Sequence, residues 1–189
     1  MDAPRAIVIG CSAGGLSALE QLFAQLLPSL PQPIVVCCHT GSSTVDLMCE
    51  LLARHSTLPV VEATERSTPL GGTIHVAPSG YHLLVEATGR FALSVDERVS
   101  FARPSIDVLF DSAAEAYGDA LIGVVLTGAN RDGAEGLACI RHHGGLAVVQ
   151  DPGDAEAPTM PQAALELAGA DHCLPLAAIG PLLNRLCLP

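Results

Sequence analysis

Short apolar runs alternate along the chain with segments whose apolar residues recur at helical spacing. Continuous apolar runs of this length are typical of strands buried on both faces. They occur at residues 6–10, 34–38, 58–63, 73–78, 121–127, 145–150 and 171–174. Helical periodicity, bounded by proline and glycine, predicts helices at 16–27, 44–54, 105–117, 133–143, 159–168 and 177–187.

One segment departs from this alternation. Residues 82–87 and 91–95 alternate apolar and polar positions around Thr88-Gly89, which indicates a β-hairpin. Strands separated by helices predict an α/β fold: a doubly wound, mostly parallel sheet with helices on both faces and an inserted antiparallel hairpin. The chain has no internal repeat and no low-complexity linker, so we expect a single domain over residues 1–189.

Charge and composition narrow the classes of function. Nine cationic residues, all arginine, stand against twenty acidic ones, for a net charge of −11. This balance argues against a nucleic-acid partner or an anionic membrane, and the absence of lysine excludes Schiff-base chemistry. The chain shows no membrane-spanning run and no signal-peptide pattern, and its seven cysteines form no C-x-x-C pair. We therefore expect a cytoplasmic protein with reduced thiols.

Three reactive side chains follow strands of the predicted sheet. Ser12 follows the first strand within Gly10-Cys11-Ser12-Ala13-Gly14-Gly15, His39 follows the second, and Asp132 lies in the turn after the strand at 121–127. Ligands bind at the carboxyl ends of such strands, and a hydroxyl, an imidazole and a carboxylate are the parts of a nucleophilic triad. From spacing alone, a phosphate-binding loop, a structural histidine and a helix-capping aspartate remain open as alternatives.

Taken together, the segments resemble the catalytic domain of the CheB family of chemotaxis protein-glutamate methylesterases. The resemblance covers nearly the whole chain and is carried by IGCSAGG (9–15), HVAPSGYHLLV (75–85), RPSIDVLF (103–110), VLTGANRDGAEG (125–136) and VVQDP (148–152). It implies a serine hydrolase that removes γ-methyl esters from glutamates of methyl-accepting chemotaxis receptors and also deamidates receptor glutamines. The resemblance implies an enzyme that uses neither a cofactor nor a metal.

The resemblance also implies roles for individual residues. Ser12 would be the nucleophile, His39 the general base and Asp132 the residue that orients it. The oxyanion and substrate side of the site would be formed by Ala13, Gly14, Gly15, Gly128 and Ala129. His82, at the start of the hairpin, would be a candidate for substrate contact.

Several positions depart from the family pattern. Ala13 stands where Ser or Thr is usual, Ala129-Asn130 replaces Met-Gly, and Thr40-Gly41-Ser42-Ser43-Thr44 replaces a proline-rich stretch expected to help form the receptor-facing cleft. The first strand begins about five residues from the start, so the sequence predicts no phospho-receiver domain in this chain. The changes at Ala13 and Ala129-Asn130 keep open a weakly active or non-catalytic CheB-like binding module. The Gly-rich turn around Ser12 keeps open a nucleotide-binding α/β protein.

Overall fold

The computed structural model describes residues 4–39 and 45–188 of the chain. Its elements in order are β1 (Ala6–Cys11), α1 (Gly15–Phe23), β2 (Ile34–Cys38), α2 (Val45–Ala53), β3 (Val60–Glu62), β4 (Ile74–Val76), β5 (His82–Val85), β6 (Phe91–Ser94), α3 (Ile106–Tyr117), a 3₁₀ turn (Gly118–Ala120), β7 (Leu121–Val125), α4 (Ala134–His142), β8 (Leu146–Gln150), α5 (Thr159–Leu167), β9 (His172–Leu174) and α6 (Leu176–Cys187).

The main sheet has seven strands in the order β3-β4-β2-β1-β7-β8-β9. Each neighbouring pair in it is parallel, while β5 and β6 form a separate antiparallel pair. The chain winds outward from β1 through β2 and then returns to β7 on the other side of β1. The strand order therefore reverses beside β1, which is where open α/β sheets bind their ligands. The predicted fold class is confirmed.

Helices cover both faces of the sheet. The apolar side chains of α1, α2 and α6 form one buried cluster with the sheet. Those of α3, α4 and α5, together with the hairpin, form the second cluster on the opposite face. Burial on both faces explains why the strands read as continuous apolar runs rather than as alternating patterns.

The alternation of side chains along two central strands decides where the site can form. In β1, Ile9 belongs to the cluster with α1, whereas Val8 belongs to the cluster with α3. The register pairs Cys11 with Cys38, and the His39 N–H donates to Cys11 O at 3.1 Å. Successive residues of a strand point to opposite faces. Ser12 and His39 are thus neighbours, and by this alternation both lie on the side of the sheet that packs against α3.

The observed element boundaries are shorter than predicted in some places. Helix α1 ends at Phe23 rather than at residue 27, because the N–H groups of Gln25 and Leu26 bond three residues back, to Leu22 and Phe23. This tighter turn leads into the proline-rich connection. The start predicted at residue 44 for the second helix lies outside the described residues. No helix in ranges 4–39 and 45–188 has the length and apolarity needed to cross a membrane.

The start of α3 packs directly against the end of β1, and Gly10 makes this approach feasible. A Cβ atom at position 10 would overlap the Cγ2 atom of Ile106. Both residues are in the interior, where neighbouring groups have little room to move. A glycine at position 10 therefore brings the first turn of α3 to the edge of the sheet that carries Ser12.

We expect Gly10→Ala to lower the free energy of unfolding by about 1–3 kcal/mol, because the added methyl group overpacks the contact with Ile106. Urea denaturation would measure the change. Gly153→Ala is a matched control, since that exposed glycine has only the flexible Asp151 carboxylate near the position of a Cβ atom. Equal stability of the two variants would contradict the close-packing argument.

Candidate active site

Two backbone hydrogen bonds of Ser12 hold the turn in which it lies. Its N–H donates to Thr127 O at 2.9 Å, and its carbonyl accepts the N–H of Gly15 at 2.7 Å. Helix α1 begins at Gly15. The turn thus joins the end of β1 to the loop after β7 and holds Ser12 at the edge of the sheet.

His39 contacts Asp132 through one ring nitrogen. The Nε2 atom lies 2.7 Å from Asp132 Oδ2. An ionised carboxylate only accepts hydrogen bonds, so Nε2 carries the proton and donates. In the neutral imidazole, Nδ1 is then the atom with a free lone pair. The arrangement presents Nδ1 as the basic nitrogen of the site.

The Asp132 carboxylate is fully buried and is held by the first turn of α3. It accepts hydrogen bonds from Ser105 Oγ at 2.9 Å, from the Ile106 N–H at 2.7 Å and from the Asp107 N–H at 3.0 Å. Burial by itself would raise the pKa of Asp132. The hydrogen bonds from His39 and from the two N–H groups outweigh burial, so its pKa lies below the ordinary value. Asp132 is therefore an anion at neutral pH.

A second buried carboxyl group, Asp107, makes the reciprocal contact. Asp107 Oδ1 accepts the N–H of Gly133 at 2.9 Å and of Gly136 at 2.8 Å, at the start of α4. Each aspartate therefore binds the N-terminus of the other's helix. Burial raises the pKa of Asp107 to about 7, and the nearby Asp132 charge adds to the effect.

A cleft of about 290 Å³ opens over these groups. Ser12, His39 and Asn130 line it together with residue 98 and residues 100–104, the segment here called the rim. Asp132 lies behind His39 and does not line the cleft. The structure therefore brings together all three residues predicted for the triad, with the hydroxyl and the imidazole accessible to a ligand.

The remaining predicted site residues divide into two groups. The N–H groups of Gly15 and Gly128 already donate within the protein, to Ser12 O and Ala157 O. Ala13, Gly14 and Ala129 stay predicted contributors to the substrate side. The segment from Thr40 to Thr44, predicted to help form the receptor-facing cleft, lies outside the described residues.

His82 is buried, with 1% of its surface exposed. Its Nδ1 accepts the Ser105 N–H at 3.2 Å, and its Nε2 lies 2.9 Å from Glu97 O. With both ring nitrogens engaged below the surface, His82 joins the hairpin to the start of α3. This geometry argues against the predicted substrate contact and assigns the residue a structural role.

Asn130 is the site residue that sequence reasoning missed as a functional group. Its Nδ2 atom lies 3.3 Å from His39 Nδ1, and its Oδ1 accepts the Asp132 N–H at 3.1 Å. The signal in the sequence is the departure from the family pattern at this position, where Asn stands in place of Gly.

Within the described part of the chain, no group of three or more His, Cys, Asp or Glu side chains is arranged to hold a metal ion. The chemistry that the cleft offers is instead that of a hydroxyl, an imidazole and a buried anion. These are the groups by which the class of serine hydrolases cleaves esters and amides.

A family model described as CheB methylesterase matches residues 7–183. The chain belongs to this family. A Leptospira interrogans relative is 46% identical over 181 residues, covering 96% of this chain and 94% of its own length, and carries the provisional name protein-glutamate methylesterase/protein-glutamine glutaminase.

A second relative and a solved structure are also similar to this chain. The protein-glutamate methylesterase FrzG of Myxococcus xanthus is 37% identical over 92% of this chain, which spans 52% of FrzG. The crystal structure of the Thermotoga maritima CheB methylesterase catalytic domain aligns with a TM-score of 0.93 at 31% identity. That alignment covers 97% of this chain and 99% of the other.

The raised pKa of Asp107 predicts a pH effect on stability. Between about pH 4 and pH 7 the folded protein retains a proton that the unfolded chain releases, so the free energy of unfolding falls as the pH rises. Asp107→Asn removes this titration. We expect the variant, relative to wild type, to gain on the order of 1–3 kcal/mol between pH 5 and pH 8.

Chemical denaturation of both proteins at the two pH values would measure this difference. Glu115→Gln offers a matched control on the same helix, since Glu115 is exposed to solvent. An Asp107→Asn curve parallel to that of the wild type would show that Asp107 does not retain its proton on folding.

Proposed function

We propose that this protein is a protein-glutamate methylesterase that uses Ser12 as nucleophile, His39 as general base and Asp132 as the residue that orients the imidazole. Its substrates are γ-methyl esters of glutamate side chains in methyl-accepting chemotaxis receptors, which it meets in the cytoplasm. The single observation that carries the proposal is the 2.7 Å contact between His39 and the buried Asp132, in a cleft that also contains Ser12.

The proposed reaction has two halves. The Ser12 hydroxyl gives its proton to His39 Nδ1 while its Oγ attacks the ester carbonyl, whose π electrons move to the oxygen. The tetrahedral intermediate collapses, the C–O bond to the methoxy group breaks, and the leaving group takes the proton from Nδ1 as methanol. A water molecule then repeats these steps on the acyl-enzyme and releases the glutamate carboxylic acid, which ionises.

Asp132 supports each proton transfer without moving a proton itself. When Nδ1 is protonated, the imidazolium is stabilised by the carboxylate 2.7 Å from Nε2. Because the hydrogen bonds from α3 keep Asp132 ionised, the carboxylate stays an acceptor throughout the cycle. The same cycle deamidates a glutamine side chain when ammonia replaces methanol as the leaving group, in keeping with the double name of the Leptospira relative.

The rim of the cleft supports a protein substrate. Phe101 is 95% exposed, and both Ser100 and Phe101 have positive φ angles, of 50° and 64°. Non-glycine residues rarely adopt such angles, and strained turns cluster at ligand sites. Arg103 fixes the rim by donating from Nη1 to the carbonyls of Val95 at 2.7 Å and Asp96 at 3.0 Å. An exposed aromatic side chain held beside the cleft suits a receptor helix.

One observation favours a second candidate function. The recorded partner of His39 Nδ1 among the described residues is the Asn130 amide rather than the Ser12 hydroxyl. If this contact persisted when substrate binds, it would occupy the lone pair that has to accept the Ser12 proton. The protein would then be a CheB-like binding module without turnover.

Ser12→Ala is expected to lower methanol release from methyl-labelled receptor fragments by a factor of about 10³ or more. A fluorophosphonate should form a covalent adduct on Ser12 of the wild type, detectable by mass spectrometry, and none on the variant. Ser17→Ala is the matched control, because that exposed serine of α1 does not line the cleft.

Methanol release that survives in Ser12→Ala would contradict the proposed nucleophile. Absence of both methanol release and phosphonate adduct in a folded wild-type protein would favour the binding module.

Phe101→Ala should raise KM for receptor fragments about fivefold with little change in kcat, because an exposed rim side chain contributes binding rather than chemistry. Steady-state methanol release would separate the two constants. Tyr81→Ala is the control, an exposed aromatic residue on the hairpin side that does not line the cleft. A change in kcat alone would show that the rim does not hold substrate.

A further inference from the structure

We propose that the side-chain amide of Asn130 is a catalytic group that donates a hydrogen bond to the oxyanion of the tetrahedral intermediate. The inference rests on the proposed function, because it requires an acyl transfer at Ser12. It concerns the residue that stands where the family pattern has glycine.

The orientation of the amide is fixed by its other contact. Asn130 Oδ1 accepts the backbone N–H of Asp132 at 3.1 Å. This bond settles which end of the amide is the oxygen, so Nδ2 is the end that faces His39 Nδ1, at 3.3 Å. Asn130 also lines the same cleft as Ser12. The NH₂ group is therefore held next to His39 in the cleft that also contains Ser12.

The contact between the amide and His39 belongs to the resting state. His39 Nε2 donates to Asp132, so Nδ1 is an acceptor and the Asn130 N–H donates to it. At 3.3 Å this bond is longer than the usual range for an N–H donor. A weak bond of this kind holds the amide in place, and it is readily exchanged for a better acceptor.

A neutral imidazole nitrogen has one lone pair, so the Asn130 N–H has to leave Nδ1 before Nδ1 can accept the Ser12 proton. The carbonyl oxygen of the bound ester offers the amide a new acceptor, and proton transfer from Ser12 then completes the exchange. When Nδ1 takes the proton it becomes a donor, and it then faces another donor in Asn130 Nδ2. At the same moment the substrate carbonyl oxygen becomes an anion and a strong acceptor. The amide N–H therefore stays on the substrate oxygen and does not return to His39 while Nδ1 carries the proton. Departure of methanol with the proton returns Nδ1 and the amide to their first arrangement.

The amide complements a second donor next to the nucleophile. Hydrolases commonly bind the oxyanion with the backbone N–H of the residue after the nucleophile, which here is Ala13. That N–H donates to no backbone carbonyl of another described residue. Asn130 can supply the second hydrogen bond that a backbone donor alone does not provide.

The test compares kcat and KM of Asn130→Ala and wild type on methyl-labelled receptor fragments, with the rate of fluorophosphonate labelling as a second readout. Loss of one oxyanion donor should lower kcat about 10²–10³-fold and leave KM within about threefold. Phosphonylation of Ser12 should slow as well, since the phosphoryl oxygen uses the same donors. Arg131→Ala, an exposed neighbour on the same loop, should keep wild-type values.

Asn130→Asp separates catalysis from loop structure. It retains the shape and the oxygen that accepts the Asp132 N–H but replaces the NH₂ donor by a second acceptor. We expect thermal stability close to wild type, with kcat no higher than that of Asn130→Ala. An Asn130→Ala enzyme with kcat within threefold of wild type, or recovery of kcat in Asn130→Asp, would overturn the inference.

The Ser12→Ala variant keeps the two proposals distinguishable. If it remains active, the proposed function fails and the role of Asn130 fails with it. If it is inactive while both Asn130 variants turn over at the wild-type rate, only the inference about Asn130 is overturned.

Discussion

A buried carboxylate is stable in a protein only if hydrogen bonds replace the water it has lost. Asp132 meets this requirement by accepting from His39, Ser105 and two N–H groups of α3. The helix start supplies partial positive charge as well as donors. This one interaction keeps the anion behind His39, fixes the imidazole tautomer and pins the first turn of α3 to the edge of the sheet.

The same interaction shapes the surrounding structure. Gly10 lacks a side chain where the start of α3 has to approach, and His82 holds the Ser105 N–H from the hairpin side. Asp107 repeats the arrangement in the opposite direction, with its carboxyl group at the start of α4. Ionisation of Asp132 disfavours ionisation of the nearby Asp107, because like charges repel. The hydrogen bonds favour the charge on Asp132, and Asp107 carries the raised pKa.

How much of the fold and of the site could be predicted depends on whether a feature is determined by residues close together in the sequence or by contacts between distant segments. Apolar runs, alternation and helical periodicity are local, and within the described residues they predicted each strand and α-helix, though not the 3₁₀ turn at Gly118–Ala120. They also predicted the edge where Ser12, His39 and Asp132 meet. The reciprocal contact of Asp107 depends on how two helix starts pack, which no local pattern encodes. The burial of His82 depends on the hairpin folding over α3, and the resemblance that implied a substrate contact for this residue does not reveal that packing. The 3₁₀-like end of α1 shows the usual uncertainty of helix boundaries.

The departures from the family pattern also acquire a physical interpretation. Ala13 loses a hydroxyl group but keeps its backbone N–H, which is the part that an oxyanion would use. Asn130 adds an amide where glycine offers only backbone, and that amide is anchored to Asp132 and directed at His39. The change in sequence therefore adds a polar side chain to the cleft, in a defined orientation, beyond any effect on the shape of the loop.

Charge links the chemistry to product release. The methyl ester is neutral, whereas the glutamate product is an anion, so hydrolysis creates a negative charge inside a protein of net charge −11. Arg98 and Arg103 at the rim offset this charge locally, and salt screens interactions between exposed charges beyond about 10 Å. The two arginines beside the cleft therefore favour the developing carboxylate locally, whereas the net charge of the whole protein disfavours it.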